Sequence, residues 1–148
     1  MRDVKFRGLN KEGKWVYGNL FTAIYKGGWV YAIQEEVDDE SIPIHDSLPI
    51  HIIFDFKTIG QYTGLKDKNG KEIYEGDVIK RGRYTNYENN YNVDEMYGVI
   101  EQKDYSWCVI QRDNDKCFTT PLFMEMEFGD IDRMQVVGNI YENPELIK

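Results

Sequence analysis

The chain has 148 residues, 18 basic and 26 acidic, for a formal charge of −8, with 41% apolar, 14% aromatic and 30% charged side chains. This length suits one globular domain or two small lobes, and it buries roughly two-thirds of the unfolded surface without disulfide staples. The aromatic content excludes an acidic disordered tail, and the negative charge argues against a sequence-independent nucleic-acid coat, which needs net positive surface to release counterions from phosphates.

In chain order the text reads as β. Lys5–Leu9, a turn at Lys11-Glu12-Gly13-Lys14, and Trp15–Phe21 predict a hairpin. Lys26-Gly27-Gly28 turns into a third strand, Trp29–Ile33, of aromatic and β-branched type. The segment Glu35–Glu40 carries five acids in six positions, without which the net charge would be −3. It reads as a solvated connection that blocks edge pairing and runs on through Pro43 and Pro49. Strands are expected at Ile50–Phe54 and Thr58–Thr63. Asp67-Lys68-Asn69-Gly70 is a strong turn signal joining Gly60–Leu65 to Lys71–Tyr74, because Asn and Gly tolerate positive φ. Glu75-Gly76-Asp77 opens Val78–Arg81, and the Asn- and Tyr-rich stretch Tyr84–Asn92 reads as a long hairpin loop. Tyr97–Glu101, Trp107–Gln111 and Cys117–Thr120 follow as strands. Pro121–Glu127 suggests a helical turn with proline first. A final strand, Gln135–Ile140, ends at Asn143-Pro144, where Asn caps and Pro starts a terminal turn.

The longest apolar run, Ile50–Phe56, is broken by His51 and Asp55 and falls far short of the roughly 20 residues of a membrane helix. Met1–Arg7 is charged and lacks a following apolar segment, so no secretory signal is expected. Cys108 and Cys117 are expected as free thiols in a reducing compartment. These features predict a cytoplasmic protein without membrane contact.

The run Gly60–Ile79 resembles the YopX family, encoded by phages and prophages. Phe6-Arg7-Gly8-Leu9 with Gly13–Gly18 looks like that family's opening, and Val137–Leu146 like its ending, so the resemblance spans nearly the whole chain. The departures are Gly8 and the length of the Tyr84–Tyr97 loop. The resemblance implies an SH3-type β-barrel in the carboxyl-terminal part and no established activity, hence no catalytic residue to carry over. The expected architecture is therefore mostly antiparallel β with little helix. An amino-terminal β lobe over 1–62 packs on an SH3-like barrel over 63–141, with a terminal turn at 142–148. Gly64, Gly70 and Gly76, six residues apart, read as chain reversals. Asp77 reads as an acceptor for a nearby amide, so the motif speaks for architecture before activity.

No constellation of residues argues for chemistry. Asp67–Gly70 superficially resembles a calcium loop, but its glycine comes too early and position 76 holds Gly where a glutamate is needed. Cys108, Cys117, His45 and His51 lack zinc spacing, and Ser41, Ser47 and Ser106 lie in no nucleophile elbow. Neither a metal, a cofactor nor a catalytic residue is expected. The best candidate surface is the edge formed by Lys80, Arg81, Arg83, Tyr84, Tyr87, Tyr91 and Tyr97. Cations among tyrosines suit a stacking platform for single-stranded nucleic acid and equally a protein-binding edge. Glu88, Asp94 and Glu95 cancel the local charge and favour protein. The leading expectation is a non-catalytic, phage-encoded binding module with a protein partner, possibly itself. Single-stranded nucleic-acid binding is the runner-up, and a small enzyme comes third.

Overall fold

Two tight turns build the first part of the molecule. Strands β1 (Phe6–Leu9) and β2 (Trp15–Tyr25) close around Asn10–Lys14, and β2 returns as β3 (Gly28–Glu35) through a two-residue turn. In that turn Lys26 and Gly27 both have positive φ, 49° and 81°, the twist that matches flanking strands in a tight hairpin. The computed structural model describes residues 4–35, 49–84, 93–113, 116–122 and 133–147. The chain divides into two units, Met1–Tyr62 and Thr63–Lys148.

In the first unit the strand order is β4 (Ile50–Ile53), β3, β2, β1, and then the first residues of β5 (Gly60–Lys66). The pairs Phe6↔Gln61 and Arg7↔Gly60 set β5 against β1. Alternation puts Val16 and Leu20 of β2 on the same face as Ile33 and Ile53, where Phe6 and Ile59 complete a core. Arg7 is buried, with its guanidinium 4.7 Å above the Trp15 ring. Gly8 packs tightly in this core: a Cβ there would stand 3.1 Å from Ile53 Cδ1 and 3.3 Å from Ile33 Cδ1. A short 3-10 turn, Phe56–Thr58, precedes β5, and the Asp55 carboxylate caps it by accepting the Lys57 N–H.

In the second unit the later residues of β5 form a hairpin with β6 (Glu72–Tyr74) around the 67–70 turn. A five-stranded sheet follows, built from β7 (Asp77–Tyr84), β8 (Val93–Lys103), β9 (Ser106–Asp113), β10 (Lys116–Pro121) and β11 (Gln135–Asn139). Its order is β10-β9-β8-β7-β11, with antiparallel pairing throughout. Ile79, Ile100 and Val109 share one face and gather Ile73, Leu122, Met134 and Val136 into a core. Each fully buried aliphatic contributes roughly 1.5–3 kcal/mol over exposure.

Several expectations need correction. The fold is mostly antiparallel β, but in two sheets rather than a closed barrel: β11 pairs with β7, leaving β10 and β11 as edges. Closure depends on pairing between strands distant in sequence, which strand periodicity does not encode. Gly70 and Gly76 occupy turns with φ of 79° and 81°, but Gly64, with φ of 86°, lies inside β5. There the Thr63 hydroxyl accepts the Leu65 N–H at 3.2 Å. Pro121 ends β10, and Leu122 directly after it is helical, so the expected turn begins one residue beyond its proline; on an edge strand the missing N–H of Pro121 costs no ladder bond. The rest of the expected turn, 123–127, lies outside the described residues. Pro144 does begin a 3-10 turn, Pro144–Ile147. The Asn143 side chain does not cap it but points back, accepting the Asn139 N–H at 3.4 Å.

Candidate functional site

The most distinctive run of the sequence turns its acids toward backbone. Asp77 is 1% exposed and accepts the Tyr74 N–H at 2.8 Å. Asp67 is nearly as buried. Its Oδ1 accepts the N–H groups of Asn69 and Lys71 at 2.8 and 2.9 Å, and its Oδ2 accepts that of Val136 at 2.9 Å. Burial alone would raise the Asp67 pKa, but the three backbone N–H groups, helped by the Lys71 charge, outweigh it and hold the carboxyl below its ordinary value. With Lys68 N–H donating to Met134 O at 3.0 Å, Asp67 ties the 67–70 turn to the residues that lead into β11.

That tie builds a groove. β11 meets β7 with Gln135 opposite Lys80, and beyond this pair β7 runs on as Arg81 and Gly82. Lys68 from the turn, Lys80 and Arg81 from β7, and Arg133 from the approach to β11 line a groove of about 360 Å³. Among the described residues Glu95 is the one carboxylate lining it, and it forms an ion pair with Lys80. The hydrogen bond to Glu95 raises the Lys80 pKa against a small opposing effect of burial. Arg81 Nη2 donates to the buried Gln111 Oε1 at 3.2 Å. Gln111 reaches it because Gly98, the intervening position on β8, carries no side chain; a Cβ there would meet Val109 Cγ1 and Gln111 Cγ.

Of the edge expected from sequence, the structure thus brings Lys80 and Arg81 together and adds Lys68 and Arg133. Tyr97 lies opposite Lys80 on β8 and is 38% exposed. Arg83 and Tyr84 are placed on β7 by their pairing with Asp94 and Val93. Their side chains, and Tyr87 and Tyr91 altogether, lie outside the described residues, as does the acidic stretch 36–40.

The first unit carries a different surface. Past the point where its core ends, the β2–β3 hairpin continues as an arm with Ile24 paired to Trp29 and Thr22 to Tyr31. Trp29 is 75% exposed and Ile24 67%. Tyr31 shares their face, while Phe21 and Tyr25 stand exposed on the other. Between Tyr17 and Ile33 the sequence holds one charge, Lys26.

Among the described residues no three His, Cys, Asp or Glu side chains gather as a metal site requires. Cys108 is buried on β9 and Cys117 exposed on β10, both free. His51 lies on β4 with its Nε2 3.4 Å from Glu35 Oε1. Burial pushes the Cys108 thiol pKa up. Among the described residues no helix is long and apolar enough to cross a membrane.

The sequence pattern described as YopX protein matches residues 5–148. The chain belongs to the YopX family. No curated protein matches it. Among solved structures it is similar to the crystal structure of protein EF1440 from Enterococcus faecalis, with 25% identity and a TM-score of 0.47 over 100% of each chain.

Sequence reasoning placed half of the groove and missed the rest of this YopX protein's candidate surfaces. In the sequence Lys68 reads only as part of a turn, and no local signal says that it and Arg133 meet. The arm did leave a signal, the near absence of charge from Tyr17 to Ile33 in a chain with 30% charged residues.

Proposed function

We propose that this YopX protein is a non-catalytic binding module that docks protein surfaces through the β2–β3 arm, a second copy of the chain first among them. The observation that carries the reading is the exposure of Ile24, Trp29 and Tyr31 on one face of the arm and of Phe21 and Tyr25 on the other. Large apolar side chains left uncovered side by side mark contact surfaces, and aromatic residues supply most interface anchors. The arm also reaches well beyond the core. From Leu20 to Tyr25 it extends about 17 Å at roughly 3.3 Å per residue, about two Debye lengths at physiological salt. Two arms therefore meet while the −8 charge of each chain is largely screened from the other. The setting in this reading is a phage or prophage gene expressed in a bacterial cytoplasm, an expectation that the family resemblance supports. The alternative, single-stranded nucleic acid stacked on the Tyr-rich edge, has Tyr97 as its one described ring and the net charge against it.

Sedimentation velocity across a wide concentration range tests the reading, comparing wild type with the double variant Ile24→Ser/Trp29→Ser. Dimerisation that persists at high salt and disappears in the variant is expected, because an apolar contact is not screened. A wild-type chain that stays monomeric throughout, or a variant that dimerises as well as wild type, removes the arm as the docking surface.

A further inference from the structure

We infer that two copies of the chain join through the outer edge of β2, strand against antiparallel strand, with Thr22 of one copy opposite Thr22 of the other. This rests on the arm reading above and specifies how the second copy docks. The first observation is the direction of the backbone. The Asn10 N–H donates to Lys14 O at 3.0 Å, so that carbonyl faces the β1 side. By alternation the N–H and C=O groups of Val16 and Gly18, which oppose Gly8 and Phe6, face it too. The far end of the hairpin agrees. Tyr25 and Gly28 flank the two-residue turn as a pair, and such a pair exchanges its bonds inside the hairpin. Leu20, Thr22 and Ile24 therefore turn their N–H and C=O groups outward, past the end of β1, where no described strand pairs with them.

The second observation is composition. An open edge is ordinarily blunted by charge, by proline or by a bulge. Asn19–Tyr25 has no charged residue and no proline, its pairing with β3 runs in unbroken register, and Thr22 and Ile24 are exposed. The other edge of the arm is far shorter: β4 takes β3 from Tyr31 onward, leaving Trp29 to face outward among the described residues. The third is self-complementarity. A two-fold axis at Thr22 pairs Leu20 with the partner's Ile24 and Thr22 with its own copy, for roughly six backbone bonds. A shift of two residues one way sets Leu20 against the Lys26 turn. A shift the other way sets Ile24 against Gly18, where β1 already holds the edge. The length of the open edge thus selects one register. On one face of the joined sheet Leu20 meets the partner's Ile24. On the other Phe21 meets the partner's Ala23, with the partner's Tyr25 on the diagonal, within reach of an aromatic ring. No charge opposes a like charge. Pairing consumes the long edge of each copy, so the assembly closes at two instead of growing into a fibre.

Sedimentation velocity, amide exchange and cross-linking of the full chain test this. Thr22→Pro removes an outward N–H and leaves the β2–β3 ladder its own donors. A dimer dissociation constant at least about tenfold above wild type is expected, with the Phe21 and Ala23 amides still protected. In Thr22→Cys/Cys117→Ser the new thiols face each other across the two-fold, their Cα atoms about 5.5 Å apart and so within disulfide range; Cys108 stays buried. Mild oxidation is expected to cross-link this variant but not Asn19→Cys/Cys117→Ser, whose thiols stand about 20 Å apart in this register. Were the ladder to open in Thr22→Pro, the cross-link alone decides. Thr22→Pro with an intact ladder that dimerises as wild type does, or a Thr22 thiol that cross-links no faster than the Asn19 one, overturns edge pairing. In that case loss of the dimer in Ile24→Ser/Trp29→Ser still upholds the arm as the docking surface. A wild-type chain that is monomeric at every concentration overturns both.

Discussion

Replacing Asp67 tests whether the family motif is architectural. Asp67→Ala removes the acceptor for three N–H groups, those of Asn69, Lys71 and Val136. Asn69 and Lys71 are exposed residues, so their amides recover water and each bond contributes only about 0.5–1 kcal/mol net. Val136 is buried, and its stranded N–H costs about 1–3 kcal/mol. The total is about 3 kcal/mol, which in a unit of this size lowers the melting temperature by about 12–24 °C. Asp67→Asn keeps one acceptor oxygen but turns an NH₂ toward backbone donors, for a loss of about 2 kcal/mol. Urea unfolding gives the stability, and amide exchange at Val136 reports the decisive bond. The pH dependence gives a second readout. The folded Asp67 carboxyl titrates below its unfolded value, so its contribution is complete above about pH 4 and is lost as the pH falls through the folded value. Asp67→Asn lacks that part of the acid destabilisation. Stability of Asp67→Ala within 0.5 kcal/mol of wild type, or an acid limb unchanged in Asp67→Asn, would refute the reasoning.

Other outcomes follow from close contacts and backbone geometry. Gly98→Ala drives a Cβ into Val109 Cγ1 and to 3.1 Å from Gln111 Cγ, and denaturant titration is expected to show a loss of about 1–3 kcal/mol. In the β8–β9 turn Asp104 and Tyr105 both have positive φ, 49° and 64°, and the Tyr105 side chain is fully exposed. Tyr105→Gly therefore sacrifices no packing and relieves left-handed strain, raising stability by about 1 kcal/mol, again by denaturant titration. The two thiols differ in reach. A disulfide reagent titrates Cys117 at once in the native protein, whereas Cys108, buried and with its pKa pushed up by burial, reacts only on unfolding. Equal rates for both would place Cys108 wrongly.

Local chemistry was legible in the order of residues. Lys26-Gly27 and Asp67–Gly70 formed the expected turns, with Gly27 and Gly70 taking the positive φ that glycine adopts without steric cost. Asp77 took a neighbouring amide, a contact set by residues three apart. Strand ends were less legible: β2, β7 and β8 run longer than their β-forming cores, because ladder pairing carries residues such as Arg83 and Asp94 that have weak strand preference. The position of Gly64 inside β5 reads the same locally as a turn glycine, since both need positive φ; only the partner strand distinguishes them.

Turn chemistry and strand alternation are short-range properties, so the residue order alone settled a turn-rich antiparallel β-protein and its family motif. Which strands share a sheet is a long-range matter. The pairing of β11 with β7 left the second sheet open where a barrel was expected, and the same pairing carried Arg133 and Lys68 to Lys80 and Arg81. Likewise the aromatic text of Trp29–Ile33 is equally suited to a core or a surface. Its placement on an arm extending past Val16, Ile33 and Ile53 left Trp29 exposed, because burial depends on which neighbours the fold supplies.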